Sequence, residues 1–382
     1  MAKLFRITTV PISVEKLLGK QLTFMNQYYD VTAISSDKKY LERVGKELGI
    51  KTHTIEMTRK ITPFQDLRSL WEMYRYFKKE KPEIVHSHTP KAGLIGMLAA
   101  KLAGVKIRLH TVAGLPLMES TGIKRTVLNF VEKLTYGCAT KVYPNSQGLY
   151  DFILEEKLGK AYKIKVIGNG STNGIDVNHF DPALFSDESN LNLKKQLNIS
   201  EDDFVFIFVG RLVKDKGINE LISAFKTLQN MHSQTLKLLL VGPLEQDLDP
   251  LSQDVLNEIE TNPNIISAGF QKDVRPYFAI SNCLAFPSYR EGFPNVVLQA
   301  LAMDIPALVS NINGCNEIVQ DHHNGLIFPP KDESSLHISM EKILNPEVYN
   351  HINAVSRLSI MKYKQEVIWE LLKENYETLL KS

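Results

Sequence analysis

The segment Pro287-Ser288-Tyr289-Arg290-Glu291-Gly292-Phe293-Pro294-Asn295-Val296-Val297-Leu298-Gln299-Ala300-Leu301-Ala302 marks a change of hydrophobic period. Just before it, Cys283 to Phe286 is an unbroken apolar run, as in a buried strand. Within it, Val296, Val297, Ala300 and Leu301 recur at helical spacing, and Pro294 suits the first helical position. A strand, an acidic glycine turn and a helix start bring unpaired N–H groups and the positive helix end to one point, where a phosphate can sit. Glu291 would repel phosphate and suits instead the hydroxyls of a sugar beside it. An ordinary strand-loop-helix joint of an α/β sheet would carry the same marks.

Strand-like runs alternate with helix-like ones along the rest of the chain, which predicts parallel sheets with crossover helices. The first half offers strand candidates at Leu4–Thr9, Val31–Ser35, Thr52–Ile55, Ile84–Ser87, Ile107–Thr111, Lys141–Tyr143 and Ile164–Ile167. Thr62-Pro63 opens a helix with a cap and a proline at its first position. A second alternation begins near Asp202, and Asp203 to Val209 is a strong strand. Glu366 to Leu380 closes the chain with helical spacing. A chain of 382 residues exceeds one ordinary core, so two domains of roughly 180 are expected. Asn178-His179-Phe180-Asp181-Pro182 reads as the linker, giving residues 1–182 and 183–364 as the domains.

A composition 43% hydrophobic and 23% charged is that of a soluble globular protein. Cys138, Cys283 and Cys315 are too widely spaced for a disulfide framework or a zinc pattern and read as reduced thiols. Leu4 to Val14 is short, proline-broken and strand-like, so it is not a secretory signal. Leu94 to Val105 is too short to span a bilayer and carries Lys101. A cytoplasmic protein is expected, with a basic face that either meets a membrane surface or is simply solvated. The net charge of +2 divides unevenly: residues 1–182 hold 28 Lys+Arg against 17 Asp+Glu, the remainder 17 against 26. The basic half suits an anionic partner such as lipid head groups or a lipid diphosphate. No recognised nucleic-acid motif or dense basic run is present, so nucleic acid is not an expected partner.

Thr9-Val10-Pro11 to Gly19-Lys20-Gln21 follows the first strand, where open α/β sheets bind ligands. Neither a Gly-x-Gly-x-x-Gly nor a Walker loop occurs, which argues against a dinucleotide or ATP. His86-Ser87-His88-Thr89-Pro90-Lys91 ends the fourth strand candidate. Its histidines, two residues apart, point the same way, yet no third metal ligand is evident and a structural or acceptor-side role is preferred. Gly168-Asn169-Gly170-Ser171-Thr172-Asn173-Gly174-Ile175-Asp176 suits a loop whose backbone approaches a ligand, or a plain loop. Lys124 and Arg125 begin a helix, Ile123 to Cys138, that could lie on a membrane surface or pack into its own domain.

The segment from Pro287 resembles the Glu-x7-Glu signature of the retaining nucleotide-sugar glycosyltransferases of family 4, whose fold is GT-B. The likeness runs through nearly the whole chain and is strongest from Phe204 to Pro329. Gly210-Arg211-Leu212-Val213-Lys214-Asp215-Lys216-Gly217 matches that family's Gly-Arg-x4-Lys-Gly motif. The resemblance implies two Rossmann-like α/β domains facing across a cleft, with the terminal helix, 365–382, crossing back to the first. It implies an acceptor domain, then a nucleotide-sugar domain, with no cofactor and no metal. The expected donor is a UDP-sugar and the expected acceptor a lipid-linked glycan, as in bacterial capsule, O-antigen or exopolysaccharide synthesis.

By the same resemblance Arg211 and Lys216 neutralise a leaving diphosphate, for which a planar fork of donors and a point charge are suited. Glu291 holds donor-sugar hydroxyls. The donor lies against Gly210, Gly242, Phe270, Gly292, Phe293, Asn295 and Val296, with Gly19 near acceptor and diphosphate. Two positions depart from the family. Gln299 stands where the second glutamate is usual and would bind the ribose. In Arg108-Leu109-His110-Thr111-Val112-Ala113-Gly114, Ala113 replaces the histidine that contacts the donor sugar, leaving His110 as the candidate or as a packing residue. A nucleotide-sugar 2-epimerase on the same fold, or a nucleotide-binding regulator without turnover, stays open at this point.

Overall fold

The computed structural model describes the chain apart from residues 59, 61, 233, 234 and 248 and the side chains of 116 and 119. The chain divides into two units, one of residues 1–174 with Gln365–Ser382, the other Ile175–Lys364. The expected linker therefore lies inside the second unit. Arg357 holds it there, donating to the carbonyls of Val177 and Phe180 and pairing with Asp181 at 3.1 Å.

In the first unit a parallel sheet runs in the order β3-β2-β1-β4-β5-β6. The strands are β1 (Lys3–Ile7), β2 (Asp30–Ser35), β3 (Lys51–Thr54), β4 (Ile84–Ser87), β5 (Ile107–Val112) and β6 (Lys141–Pro144). Alternation along each strand sorts side chains to two faces. Leu4, Ile84 and Leu109 pack with Leu372 and Tyr376 of the terminal helix Gln365–Lys381. Phe5, Ile7 and Val85 face the other way and pack with Met73, Phe77, Ile95 and Tyr136 of three connecting helices. The expected seventh strand, Ile164–Ile167, is absent. It makes an isolated bridge between Ile164 and Val142, and the chain then turns where the Gly170 N–H donates to the Ile167 carbonyl.

The helix Pro63–Glu80 starts where expected, with Thr62 at its cap, but the Thr62 hydroxyl does not cap it. Asp66 reaches back instead and accepts from both the N–H and the hydroxyl of Thr62. Lys91 pairs with the same carboxylate at 2.7 Å, fastening the starts of two helices together.

The second unit repeats the plan in the order β12-β11-β10-β7-β8-β9, again all parallel. Its strands are β7 (Phe204–Val209), β8 (Leu236–Val241), β9 (Ile265–Gly269), β10 (Cys283–Phe286), β11 (Ala307–Ser310) and β12 (Gly325–Phe328). Buried runs such as Leu236–Val241 and Cys283–Phe286 show no polar alternation because helices cover both sheet faces. All three cysteines are buried and unbridged. Among the described residues no helix is long and apolar enough to cross a membrane.

Candidate functional site

Strand order locates the site in the second unit. From β7 the chain winds outward through β8 and β9, then crosses back so that β10 lies on the other side of β7. At such a switch point the loops leaving two adjacent strands diverge and open a crevice at their carboxyl ends. The loop after β7 carries Arg211 and Lys216, and the loop after β10 carries Glu291. Two distant motifs thus become neighbours through topology.

Lys216 Nζ lies 2.5 Å from Glu291 Oε1, and Ser288 Oγ donates to that carboxylate oxygen at 3.0 Å. Both charged side chains are mostly buried, at 16% and 18% exposure, so the pair is only partly screened by water. Arg211 is more open and pairs with Glu245 at 3.2 Å. Other bonds fix the loops to each other. Arg290 pairs with Asp215 at 3.0 Å, the Tyr289 N–H donates to the Asp215 carbonyl, and the Asp215 N–H donates to Asp249. Lys216 and Glu291 are therefore held by three loops, a form of preorganisation that lowers the cost of binding.

Two glycines make this closeness possible. Gly217, at φ +70°, lies so near Pro287 that an added Cβ would sit 2.1 Å from its carbonyl oxygen. A Cβ on Gly242 would sit 1.7 Å from the carbonyl oxygen of Gly210. A side chain at either position would push apart loops that leave neighbouring strands.

The helix after Glu291 spans Asn295–Ala302, with Pro294 at its cap rather than at its first helical position. As at any helix start, its first N–H groups have no partner within the helix. Phe293 is buried edge-on against Tyr363, 5.3 Å between ring centres, which orients the loop. Gln299 is half-buried on this helix. Phe270, just beyond β9, is 73% exposed and offers a flat apolar face at the same carboxyl-end side of the sheet.

Several site residues escaped the sequence reading. Glu245 and Asp215 pair with arginines, Ser288 donates to a carboxylate and Asp249 accepts from a backbone N–H, and no spacing rule singles them out. Asn313 and Gly314 follow β11, and Gly314 packs on the backbone of Gly292 and Phe293. A loop after a strand beside β10 was the available signal.

The first unit has its own switch point between β1 and β4. Gly19 lies after β1 at the end of a π-helical turn, Val14–Leu18, and Thr9 and Thr89 join the two loops by a hydroxyl bond of 2.7 Å. His86 and His88 share a sheet face as expected, with ring centres 4.2 Å apart. Protein groups occupy them: His86 bonds Tyr376 and Thr111, and His88 Nε2 accepts from the buried Arg6. Among the described residues no group of three His, Cys, Asp or Glu could hold a metal.

His110 requires a correction. It lies on the opposite sheet face, only 3% exposed, bonded to Ser87 at 2.9 Å, with a ring that a Cβ on Gly93 would strike. Burial drives its pKa down to about 4. It is a packing residue because it lies inside β5, paired with Ser87 of β4, whereas Ala113 follows the carboxyl end of that strand.

Comparison with known proteins agrees with this arrangement. Residues 189–359 match the family model "Glycosyl transferases group 1", and residues 19–146 match "Glycosyl transferase 4-like". The chain is 36% identical to the capsular polysaccharide biosynthesis glycosyltransferase CapM of Staphylococcus aureus, over 99% of this chain and 98% of that one. It is 28% identical to the Escherichia coli UDP-Gal:alpha-D-GlcNAc-diphosphoundecaprenol alpha-1,3-galactosyltransferase, over 88% and 89% of the two chains. A Rickettsia africae glycosyltransferase superposes with a TM-score of 0.83 at 19% identity, covering 100% of this chain and 99% of that one. The Anabaena protein HepE, in complex with UDP and glucose, gives 0.81 at 17%, covering 99% and 100%. These structural likenesses establish the GT-B fold.

Proposed function

The chain belongs to the group 1 glycosyltransferases, and from that premise we propose that it moves a hexosyl group from a UDP-sugar to a lipid-diphosphate-linked glycan, with retention at the anomeric carbon. The observation that carries this reading is the apposition of Lys216 and Glu291 at 2.5 Å across the β7/β10 crevice. One such pair offers a cation for phosphate oxygens beside an acceptor for sugar hydroxyls. The E. coli relative, named for UDP-galactose and a diphosphoundecaprenol-linked acceptor, and the HepE complex with UDP support the donor and acceptor classes. The CapM relative supports a place in capsular polysaccharide synthesis.

In the proposed reaction the bond between the anomeric carbon and the diphosphate oxygen breaks. An acceptor hydroxyl forms the new bond on the same face, and its proton passes to the departing diphosphate. Lys216 and Arg211 stabilise charge developing on that diphosphate, where fixed electrostatic groups act most strongly. Glu291 holds sugar hydroxyls. The backbone at Gly292, Phe293, Asn295 and Val296 meets phosphate at a helix start. Phe270 lies beside the base, with Gly210 and Gly242 letting the backbone come close, and Gly19 lies towards the acceptor.

A thermal-shift screen of UDP- and GDP-sugars tests the donor class, because a ligand of the folded state raises Tm by mass action. A shift with UDP-sugars supports the reading, and none with any nucleotide-sugar overturns it. Transfer is expected to persist in EDTA, since Lys216 and Arg211 supply the charge that a metal ion supplies elsewhere. Loss in EDTA restored by Mg²⁺ or Mn²⁺ would contradict this. At Gln299 an amide both donates to and accepts from vicinal ribose hydroxyls. Gln299→Ala is expected to raise donor KM more than it lowers kcat, and Gln299→Glu to keep activity. An unchanged donor KM in both variants removes the ribose assignment.

A further inference from the structure

The first unit carries a large apolar surface remote in function from the β7/β10 crevice. On the helix Pro63–Glu80, Phe64, Leu67 and Trp71 stand on one stripe, and the first and last are 92% and 59% exposed. On the helix Gly122–Cys138, Ile123, Val127, Phe130 and Leu134 form a second stripe, with Ile123 85% and Phe130 67% exposed. Between them packs the helix Pro90–Ala103, whose exposed Leu102 joins Leu67, Leu70, Trp71 and Tyr74 around a groove of about 460 Å³. Aromatic and aliphatic side chains at this exposure lose free energy in water, and a soluble monomer rarely gathers so many on neighbouring helices.

The helix Gly122–Cys138 also buries polar groups while it exposes apolar ones. Its outward stripe is apolar, whereas Glu132 and Thr135 point inward and are buried. A helix in water places its carboxylates outside. This one fits an apolar medium beyond its outer face.

Charge decides which medium. Arg75, Lys78, Lys79, Lys101, Lys124 and Lys133 are exposed on the same three helices. The carboxylates Asp66 and Glu72 on the first helix are occupied by Lys91 and Arg68. Apolar stripes ringed by basic side chains match a bilayer surface with anionic head groups, each nearby Lys or Arg adding attraction.

We propose that these three helices form a docking face for an anionic bilayer, with Trp71 and Phe130 entering the interface. The proposal deepens the reading of a lipid-linked acceptor by naming the surface that meets the lipid. It is tested apart from the donor site.

The full chain is incubated with phosphatidylcholine vesicles and with vesicles in which about a third of the lipid is phosphatidylglycerol. Co-sedimentation is expected with the anionic vesicles, falling as salt rises. The chain has two tryptophans, and Trp369 is buried, so a change of emission on adding vesicles reports Trp71. A blue shift is expected on anionic vesicles. The double variant Trp71→Ser, Phe130→Ser is expected to bind at least ~10-fold more weakly, from the apolar area lost. Its thermal shift with UDP should be unchanged. Equal binding to neutral and anionic vesicles, wild-type binding by the variant, or an unshifted Trp71 would each overturn the proposal. So would a dimer in light scattering that the same substitutions dissolve, which would assign the face to a second copy. Vesicle binding as expected without any UDP shift would instead overturn the donor reading and leave this face standing.

Discussion

Lys216→Ala is expected to lower sugar transfer ~10²-fold or more, the scale seen when one preorganised charge-stabilising donor is removed. The structure also gives Lys216 a partner, because its ammonium lies against Glu291 at 2.5 Å. A loss on mutation could therefore come from a stranded carboxylate rather than from lost catalysis. The double variant Lys216→Ala, Glu291→Gln separates these when read against Glu291→Gln alone, which carries whatever the donor-sugar contact is worth. Neutralising both groups restores whatever stability the stranded carboxylate cost, yet leaves the diphosphate without its cation. Transfer by the double variant should stay as low as in Lys216→Ala. Recovery of transfer would make the pair structural and remove Lys216 from the chemistry. Arg211→Ala should give a comparable loss of kcat/KM with less effect on stability, since its pair with Glu245 is more exposed.

Stability is expected to fall steeply on acidification below about pH 6.5, the ordinary histidine value. Burial pulls His86, His88 and His110 below that value, His110 to about 4, and Arg6 beside His88 adds repulsion. A lowered histidine is neutral in the folded chain while its unfolded counterpart takes up a proton. The stabilisation is complete above the unfolded value and drains as pH falls towards the folded one, by about 1.4 kcal/mol per pH unit for each group. Glu132 acts in the opposite sense. Burial raises it to about 7, so over the carboxylate range up to that value the folded form keeps a proton that the unfolded chain releases. Three histidines outweigh one carboxyl, and Tm should drop by about 10 °C or more between pH 7 and 4.5. The drop should belong to the first unit, read by loss of protection of amides in β4 and β5. A flat Tm over that range would show that these rings are reached by water.

Much of this was legible in the chain because both sheets are covered by helices. Continuous apolar runs such as Phe204–Val209 leave little choice but a buried parallel strand. The glycine-flanked motifs after β7 and β10 were paired by the family resemblance, and the strand order is what brings their loops together. Three things were hidden. The unit boundary depends on Arg357, whose bonds to Val177 and Phe180 span some 180 residues that no local pattern records. Ile164–Ile167 has strand composition, yet its chain turns away after one bridge, a tertiary decision. His110 lies within β5 rather than at its carboxyl end, and the sequence alone does not mark where that strand stops and the loop at Ala113 begins. Salt-bridge partners such as Glu245 carry no period or motif at all.

The most direct test of the central claim is transfer itself, with the purified chain, radiolabelled UDP-hexoses and a diphosphate-lipid acceptor in anionic vesicles. Label is expected in the lipid fraction with one UDP-hexose, with the α-anomeric configuration of the donor kept in the product, and is expected to be lost in Lys216→Ala. Label that never leaves the nucleotide-sugar, or a product of inverted configuration, would contradict the claim.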